Sequence, residues 1–253
     1  MERSKLKISP FFAVDVFSYD TVDSTNRLAK EYAAKHKSDA VFCAAGQSAG
    51  RGRLGRSFDS ESGQGLYMSM LIHPKRRISD AISLTALSAV ATCRAIEKLT
   101  SLEPRIKWVN DLQLGGKKIA GILVEGEVDS DGRVAYAVVG IGVNLLSRDF
   151  GELSEIAASL GDFTDTPPSA DRLMAQTVRE LYRIYKKPSY AAELEYYRNH
   201  SALIGEEITV YKGGESYPAR AVGIDDAFGL IVNDGEKTYT LTSAEVSVRV
   251  RKG

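Results

Sequence analysis

The densest run of chemistry in the sequence is Gln47-Ser48-Ala49-Gly50-Arg51-Gly52-Arg53-Leu54-Gly55-Arg56-Ser57-Phe58. Arg51, Arg53 and Arg56 stand together with no acid before Asp59. Guanidinium groups offer planar paired donors to phosphate or carboxylate. Gly50, Gly52 and Gly55 let the backbone approach a ligand closely, so that main-chain N–H groups can add an anion nest. The combination suits an anion, although a solvated surface loop has the same composition. Nucleic acid is a weaker alternative, since a single short Arg-Gly tract gives little to hold a polyanion. A second cluster, Lys107-Trp108-Val109-Asn110-Asp111, sets a cation for phosphate oxygens beside hard oxygen ligands for magnesium. Asn-Asp is equally common turn punctuation, and Asn144, at the end of Gly140-Ile141-Gly142-Val143-Asn144, reads equally well as a strand terminator.

Strands and helices must bring these segments together. Phe11 to Tyr19 reads as a strand, Asp23-Ser24-Thr25-Asn26 introduces a helix over Arg27 to His36, and Ala40 to Ala45 is a second strand. Ser24 and Thr25 fit the N-cap, a role worth about 0.5 to 2 kcal/mol. Gly46 to Gly65 is a long loop, Leu66 to His73 a strand, and Ser79 the cap of a helix running to about Leu99. Extended segments follow at Arg105 to Val109, Lys118 to Glu127 and Arg133 to Asn144, divided by Asn110-Asp111, Gly115-Gly116 and Asp131-Gly132. Polarity rises from Arg148 to Thr166; Ser169 then caps a helix through Tyr185, and another spans Tyr190 to Asn199. Beyond Ile204 come five short strands: Glu207 to Tyr211, Tyr217 to Ile224, Gly229 to Asn233, Thr238 to Leu241 and Val246 to Val250. The fold class is α+β: a mixed β-sheet with helices packed on it over residues 1–203, and a small β-barrel over 204–253.

Composition bounds the function. The 253 residues carry 33 Lys+Arg and 33 Asp+Glu, so zero net charge argues against a surface built throughout to attract nucleic acid or anionic membrane. Two cysteines in apolar surroundings, Cys43 and Cys93, read as buried thiols in a reducing compartment, and zinc-ligand spacing is absent. The start, MERSKLKISPFF, lacks a leader pattern, and no segment approaches the roughly 18 apolar residues of a membrane span. A cytoplasmic location is expected.

Ser24-Thr25-Asn26, the GRGRLGR loop, Lys107-Trp108-Val109-Asn110-Asp111, Lys117-Lys118-Ile119-Ala120-Gly121-Ile122-Leu123-Val124-Glu125 and Gly140 to Asn144, in that order, resemble the biotin protein ligases over nearly the whole chain. Val109 stands where that family usually has proline, and Phe58 where many members have tryptophan. The resemblance implies a class II synthetase-like catalytic fold with a C-terminal Src-homology-3-like barrel. It also implies joining of biotin to ATP as biotinyl-5'-AMP, then transfer to one lysine of a biotin carboxyl carrier domain of acetyl-CoA carboxylase or a related carboxylase. ATP and biotin are then substrates, with magnesium. Bringing a carboxylate against a triphosphate calls for concentrated positive charge.

By resemblance, Arg53, Lys118 and Lys107 are catalytic. Ser24, Thr25, Asn26, Gln47, Arg51, Gly52, Arg53, Lys118 and Gly121 bind biotin. Arg51, Arg53, Arg56, Phe58, Lys107, Asn110 and Asn144 bind nucleotide, and Asp111 holds the metal. Trp108 and Ile122 are candidates to support the biotin ring, Trp108 being equally compatible with core packing. The stretch Arg148 to Thr166 corresponds to a lid over adenosine, with Phe150 and Phe163 as stacking candidates. The attacking amine belongs to the partner, so Cys43, Cys93, His36, His73 and His200 need no catalytic role. Some family members carry an N-terminal helix-turn-helix and repress transcription; here the ligase domain already starts at Phe11, so DNA binding is not expected. A homodimer through the central sheet is compatible with the family. The rivals are a lipoate or octanoate ligase or transferase of the same fold, which lacks the GRGRLGR loop, and a non-catalytic binder of biotin or nucleotide.

Overall fold

The computed structural model describes residues 1–73, 81–128, 134–242 and 246–250. Strands β1 (Glu2–Ser9) and β2 (Phe12–Val22) form an antiparallel hairpin, and β2 sends Val14 and Val16 into the core. Helix α1 (Thr25–Ala33) crosses over to β3 (Ala40–Gln47), which lies parallel to β2 because a crossover returns the chain to the same end of the sheet. Then follow β4 (Gly65–Ile72), α2 (Ala81–Leu99), β5 (Arg105–Lys107), β6 (Asp111–Leu114), β7 (Lys117–Val128) and β8 (Val134–Asn144). The eight strands run β1-β2-β3-β4-β8-β7-β6-β5, and all the other ladders are antiparallel.

The two faces of this sheet have different work. Alternation sends Met68, Met70, Ile141 and Val143 to the main core, together with Leu87 and Val90 of α2 and Leu173, Val178 and Leu181 of α3 (Ala170–Tyr185). On the opposite face α1 packs Ala29 and Ala33 against Phe17, Phe42 and Val138, covering only part of the sheet. Gly140 and Gly142 also point to that second face, and side chains from elsewhere come down onto them.

Helix α4 (Ala191–Asn199) leads to β9 (Glu207–Lys212), β10 (Glu215–Ile224), β11 (Leu230–Asn233), β12 (Thr238–Leu241) and β13 (Val246–Val250). All five expected strands form, in the order β12-β11-β10-β9-β13. The closed barrel does not: among the described residues β12 pairs only with β11 and β13 only with β9, and closure needs the two end strands to meet. Trp108 Nε1 donates to the Phe228 carbonyl (2.8 Å) and Arg198 Nε to that of Ile224 (2.9 Å), which joins the small sheet to the large one.

Three further differences from the sequence reading have physical causes. Strand β1 is hidden because an edge strand carries its charges, here Arg3, Lys5 and Lys7, along its length. Strand β6 is hidden because Asn110-Asp111 reads as a turn, whereas Asp111 already pairs across the ladder with Lys107. The weakly patterned stretch after Arg148 holds two single-turn 3-10 helices, Gly151–Leu153 and Leu160–Asp162. Ser169 caps α3 as expected, its Oγ accepting from the Arg172 N–H (3.3 Å). The cap expected at Ser79 and the turn at Asp131-Gly132 lie outside the described residues. Among the described residues no helix is long and apolar enough to cross a membrane.

Candidate active site

The Arg-Gly segment is a closed hairpin. Phe58 N–H donates to the Gly50 carbonyl (3.0 Å) and Gly52 N–H to that of Arg56 (2.7 Å), with Leu54 and Gly55 at positive φ in the turn. Gly50 is required there: a Cβ would lie 2.3 Å from the Phe58 carbonyl oxygen. The hairpin walls a cavity of about 500 Å³, whose lining includes Arg51, Gly52, Arg53, Arg56, Leu123 and Glu125.

Beside Arg53, cations gather around the Asp111 carboxylate. Lys118 Nζ lies 2.7 Å from Asp111 Oδ1, and Arg53 Nη1 donates to Asn110 Oδ1 (3.0 Å). Asn110 Nδ2 in turn donates to Asp111 Oδ1 (3.1 Å) and to the Ile122 carbonyl (3.1 Å), which locks the turn. Burial lowers the pKa of Lys107, Asp111 opposes this, and the charges of Lys118, Arg249 and Arg56 add to the lowering. Arg53 is lowered in the same way, by burial first, against Asp111, with Arg56 adding to it. Among the described residues the positive charge here exceeds that of Asp111, and an anion would relieve it. Arg249, on β13, was not singled out in the sequence; its distance from the motifs gave no signal.

Beside this cluster the Phe58 ring lies on the cross-strand pair Gly121 and Gly142. A Cβ on Gly142 would meet the ring at 2.5 Å and one on Gly121 at 3.3 Å, so the two glycines make its floor. Lys118 Nζ sits 5.7 Å from the ring centroid.

At the α1 end the site is neutral and internally hydrogen-bonded. Thr25 N–H donates to Gln47 Oε1 (2.8 Å), Gln47 Nε2 to Ser60 Oγ (3.0 Å), and Ser60 Oγ to the Phe58 carbonyl (3.0 Å). Ser69 Oγ lies 2.5 Å from Asn26 Oδ1 and 2.7 Å from Thr25 Oγ1. Asn26 Nδ2 donates to Glu125 Oε2 (2.7 Å), and Lys30 Nζ pairs with Glu125 Oε1. Burial pushes the Glu125 pKa up, but hydrogen bonds from Lys30 and Asn26 and the charges of Lys30 and Arg51 hold it below its usual range. Asn26 reaches the sheet because residue 140 is glycine; a Cβ there would lie 2.3 Å from Asn26 Oδ1.

The structure therefore gathers Thr25, Asn26 and Gln47 at one end, and Arg53, Lys107, Asn110, Asp111 and Lys118 at the other, with Arg51, Gly52 and Arg56 on the hairpin between cavity and solvent. One expectation, the Ser24 cap, is revised, and Asn144, Phe150 and Phe163 have partners within the chain. Ser24 occupies the N-cap position of α1 but its side chain makes no cap hydrogen bond; its own N–H donates to Asp23 Oδ1 (2.7 Å). Asn144 is buried and its Nδ2 donates to the Ala158 carbonyl (2.9 Å), so its amide holds the following loop. Phe150 packs under the Arg148 guanidinium (4.5 Å to the centroid), and Phe163 packs at Gly115, in the β6–β7 turn. Trp108 is core, as its alternative reading had it. Burial, with the charge of Asp171, pushes the Cys43 thiol up to about 12, and Cys93 is raised too, which leaves neither as a nucleophile. Glu125, Lys30, Ser60 and Ser69 were missed as site residues. Glu125 closes a quoted motif, whereas nothing in the spacing of the other three marks them.

A cationic, glycine-floored site of this kind has relatives. Residues 18–144 match the model of the biotin/lipoate A/B protein ligase family. The chain is 30% identical over 238 residues to the bifunctional ligase/repressor BirA of Bacillus subtilis, covering 91% of this chain and 73% of that protein. It is 30% identical over 234 residues to the biotin–[acetyl-CoA-carboxylase] ligase of Paracoccus denitrificans, covering 88% and 96%. Its fold superimposes on the biotin protein ligase of Aquifex aeolicus in complex with biotin and ATP with a TM-score of 0.81 at 25% identity, over 93% of this chain and 99% of that one. The family match over residues 18–144, and relatives 30% identical over about nine-tenths of the chain, make it a member of the biotin/lipoate A/B protein ligase family.

Proposed function

We propose that this member is a biotin protein ligase, which activates biotin with ATP to biotinyl-5'-AMP and pyrophosphate and then transfers biotin to a lysine of a biotin carboxyl carrier domain. The observation that carries the reading is the gathering of three half-buried cations, Arg53, Lys107 and Lys118, around Asp111, beside a separate hydrogen-bonding pocket. The first step presses a carboxylate against a triphosphate; preorganised cations stabilise the charge that develops there. Lys118 attends the biotin carboxylate and the α-phosphate, Lys107 the remaining phosphates, and Arg53 and Arg51 hold the adenylate under the hairpin. Arg56, Asn110 and Phe58 complete the nucleotide side, with Asn144 acting through the loop it anchors. Thr25, Asn26, Gln47 and Ser24 serve the ureido head, and Gly52 and Gly121 give close backbone approach. The acceptor lysine supplies the nucleophile for the second step, and a closed hairpin keeps water from the adenylate until it arrives.

Among the described residues no group of three His, Cys, Asp or Glu side chains could hold a metal. Asp111 is a lone carboxylate already paired with Lys118, so it suits a magnesium ion that comes bound to the triphosphate, contributing one oxygen ligand. Magnesium would there neutralise phosphate charge. The names of the relatives, which couple biotin ligation to acetyl-CoA carboxylase, favour its carrier domain as the acceptor, and a cytoplasmic location agrees with that partner.

The test is direct. The purified chain with biotin, ATP and magnesium should release pyrophosphate, and added carrier domain should gain one biotin by mass. Labelling with lipoate in place of biotin would overturn the reading, as would the absence of both activities in folded protein.

A further inference from the structure

The two feet of the Arg-Gly hairpin are held differently. The incoming foot is tied by main chain: Ser48 N–H donates to the Val22 carbonyl (2.9 Å) and Ala49 N–H to that of Asp23 (2.9 Å). The outgoing foot is gripped by a side chain as well. Arg148 Nη1 lies 2.8 Å from Asp59 Oδ2 and 3.0 Å from Glu61 Oε2, and Asp59 directly follows Phe58. The Arg148 guanidinium lies on the Phe150 ring and its side chain is 9% exposed, whereas those of Asp59 and Glu61 are 62% and 59% exposed. Ion pairs in open solvent contribute little because water and salt screen them, but a charge taken out of water depends far more on its partners. Arg148 stands early in a loop whose far end is fastened on Lys118. Lys118 N–H donates to the Ile156 carbonyl (2.8 Å), Ala158 N–H donates to the Lys118 carbonyl (2.9 Å), and Asn144 Nδ2 holds the Ala158 carbonyl. One loop therefore links the residue beside Phe58 to Lys118, whose Nζ is itself 5.7 Å from the Phe58 ring centroid.

We propose that Arg148 is a positioning residue for the hairpin, a clasp that holds Asp59 and Glu61 so that Phe58 stays over the site and the reactive intermediate is retained. The inference rests on the biotin ligase reading and deepens it. Arg148 touches no reacting atom and acts through the two carboxylates. The clasp is incompletely used: Nη1 serves both carboxylates, while Nε and Nη2 are buried with no hydrogen-bond partner among the described residues. Nε and Nη2 make one edge of the planar guanidinium, which can take a carboxylate by two parallel bonds. Buried donors left unfilled are costly, so the guanidinium gains from any movement of the hairpin that carries Asp59 or Glu61 onto that edge. A lysine at 148 keeps the charge and lacks the edge.

The full chain, given biotin, ATP and magnesium and followed through a single turnover, yields two readings: the rate at which biotinyl-5'-AMP forms and the time for which it stays bound. Arg148→Met should shorten the bound lifetime about tenfold with the rate of formation and the thermal unfolding midpoint near those of the parent, a split that a merely structural role would not produce. Arg148→Lys should recover part of the lifetime. The double variant Asp59→Ala with Glu61→Ala alters exposed side chains and should shorten the lifetime in the same way. Adding Arg148→Met to that double variant should shorten it little further, because the three groups act through one contact. Parental lifetime in Arg148→Met, or fully additive losses in the triple variant, overturns the proposal. Should Arg148→Met fail to fold, the Asp59→Ala, Glu61→Ala variant decides, and parental lifetime in it overturns the proposal. A parent chain that forms no biotinyl-adenylate overturns the underlying reading instead.

Discussion

The two ends of the site handle polarity in opposite ways. At the α1 end neutral groups and one ion pair form a connected chain, buried and internally arranged before any ligand arrives. At the hairpin end Arg53, Lys107 and Lys118 gather about Asp111, and partial burial disfavours the charged forms of Arg53 and Lys107. Preorganisation of the first kind serves recognition, since a ligand either matches the donors and acceptors or leaves them unpaired. Charge excess of the second kind serves chemistry, because it is relieved most when negative charge concentrates in the transition state.

Substitutions at the two ends should therefore damage different measurements. Lys118→Met should cut biotin-dependent pyrophosphate release about a hundredfold to a thousandfold, with the equilibrium affinity for biotin changed far less; equal losses in both would erase the distinction. Gly140→Ala is the mirror image. Its Cβ would lie 2.3 Å from Asn26 Oδ1 and displace that amide, so biotin affinity should drop about thirtyfold while ATP affinity holds. Arg53→Ala removes the guanidinium bonded to Asn110 and should shorten the lifetime of bound biotinyl-adenylate about tenfold, seen as promiscuous labelling of nearby lysines; an unchanged lifetime would take Arg53 off the hairpin's holding role.

Smaller effects sharpen the contrast. The lowered pKa of Lys107, from burial and then from its cationic neighbours, means that the free protein gives up this proton below the ordinary lysine range near pH ~10.4. Phosphate favours the charged form, so ATP affinity should fall several-fold as pH rises through that lowered value, and Lys107→Arg should abolish the dependence in titrations carried up through the alkaline range. The sign for stability is the reverse: the folded state disfavours the charge, so this cost relaxes with rising pH. Ser24→Ala should change thermal stability by less than about 0.5 kcal/mol, at or below the bottom of the range for a lost N-cap, since the hydroxyl makes no cap bond. A larger loss in thermal unfolding would restore the capping role.

The motifs were legible in the sequence where local composition carries the chemistry. Arginines interleaved with glycines, and a lysine beside Asn-Asp, announce anion binding at whatever place the fold puts them. Most central strands were legible as well, because apolar residues in β4, β7 and β8 follow extended patterns. The edge strand β1 was not, since solubility at an edge demands the charges that mask a strand. The barrel was expected from strand density and from the resemblance, and neither says which strands meet at the ends.

The sequence by itself determined the residue types of the site, the order of its motifs and the balance of charge that turns zero overall into an excess at one place. Tertiary structure alone decided which groups touch. Glu125 and Asn26 are separated by 99 positions, and Ser69 and Asn26 by 43, so no spacing along the chain foretells their contact. Hydrogen-bond direction passes through space between partners that the sheet brings together, and only the assembled sheet, with glycine at 140 leaving room for Asn26, makes those partners neighbours.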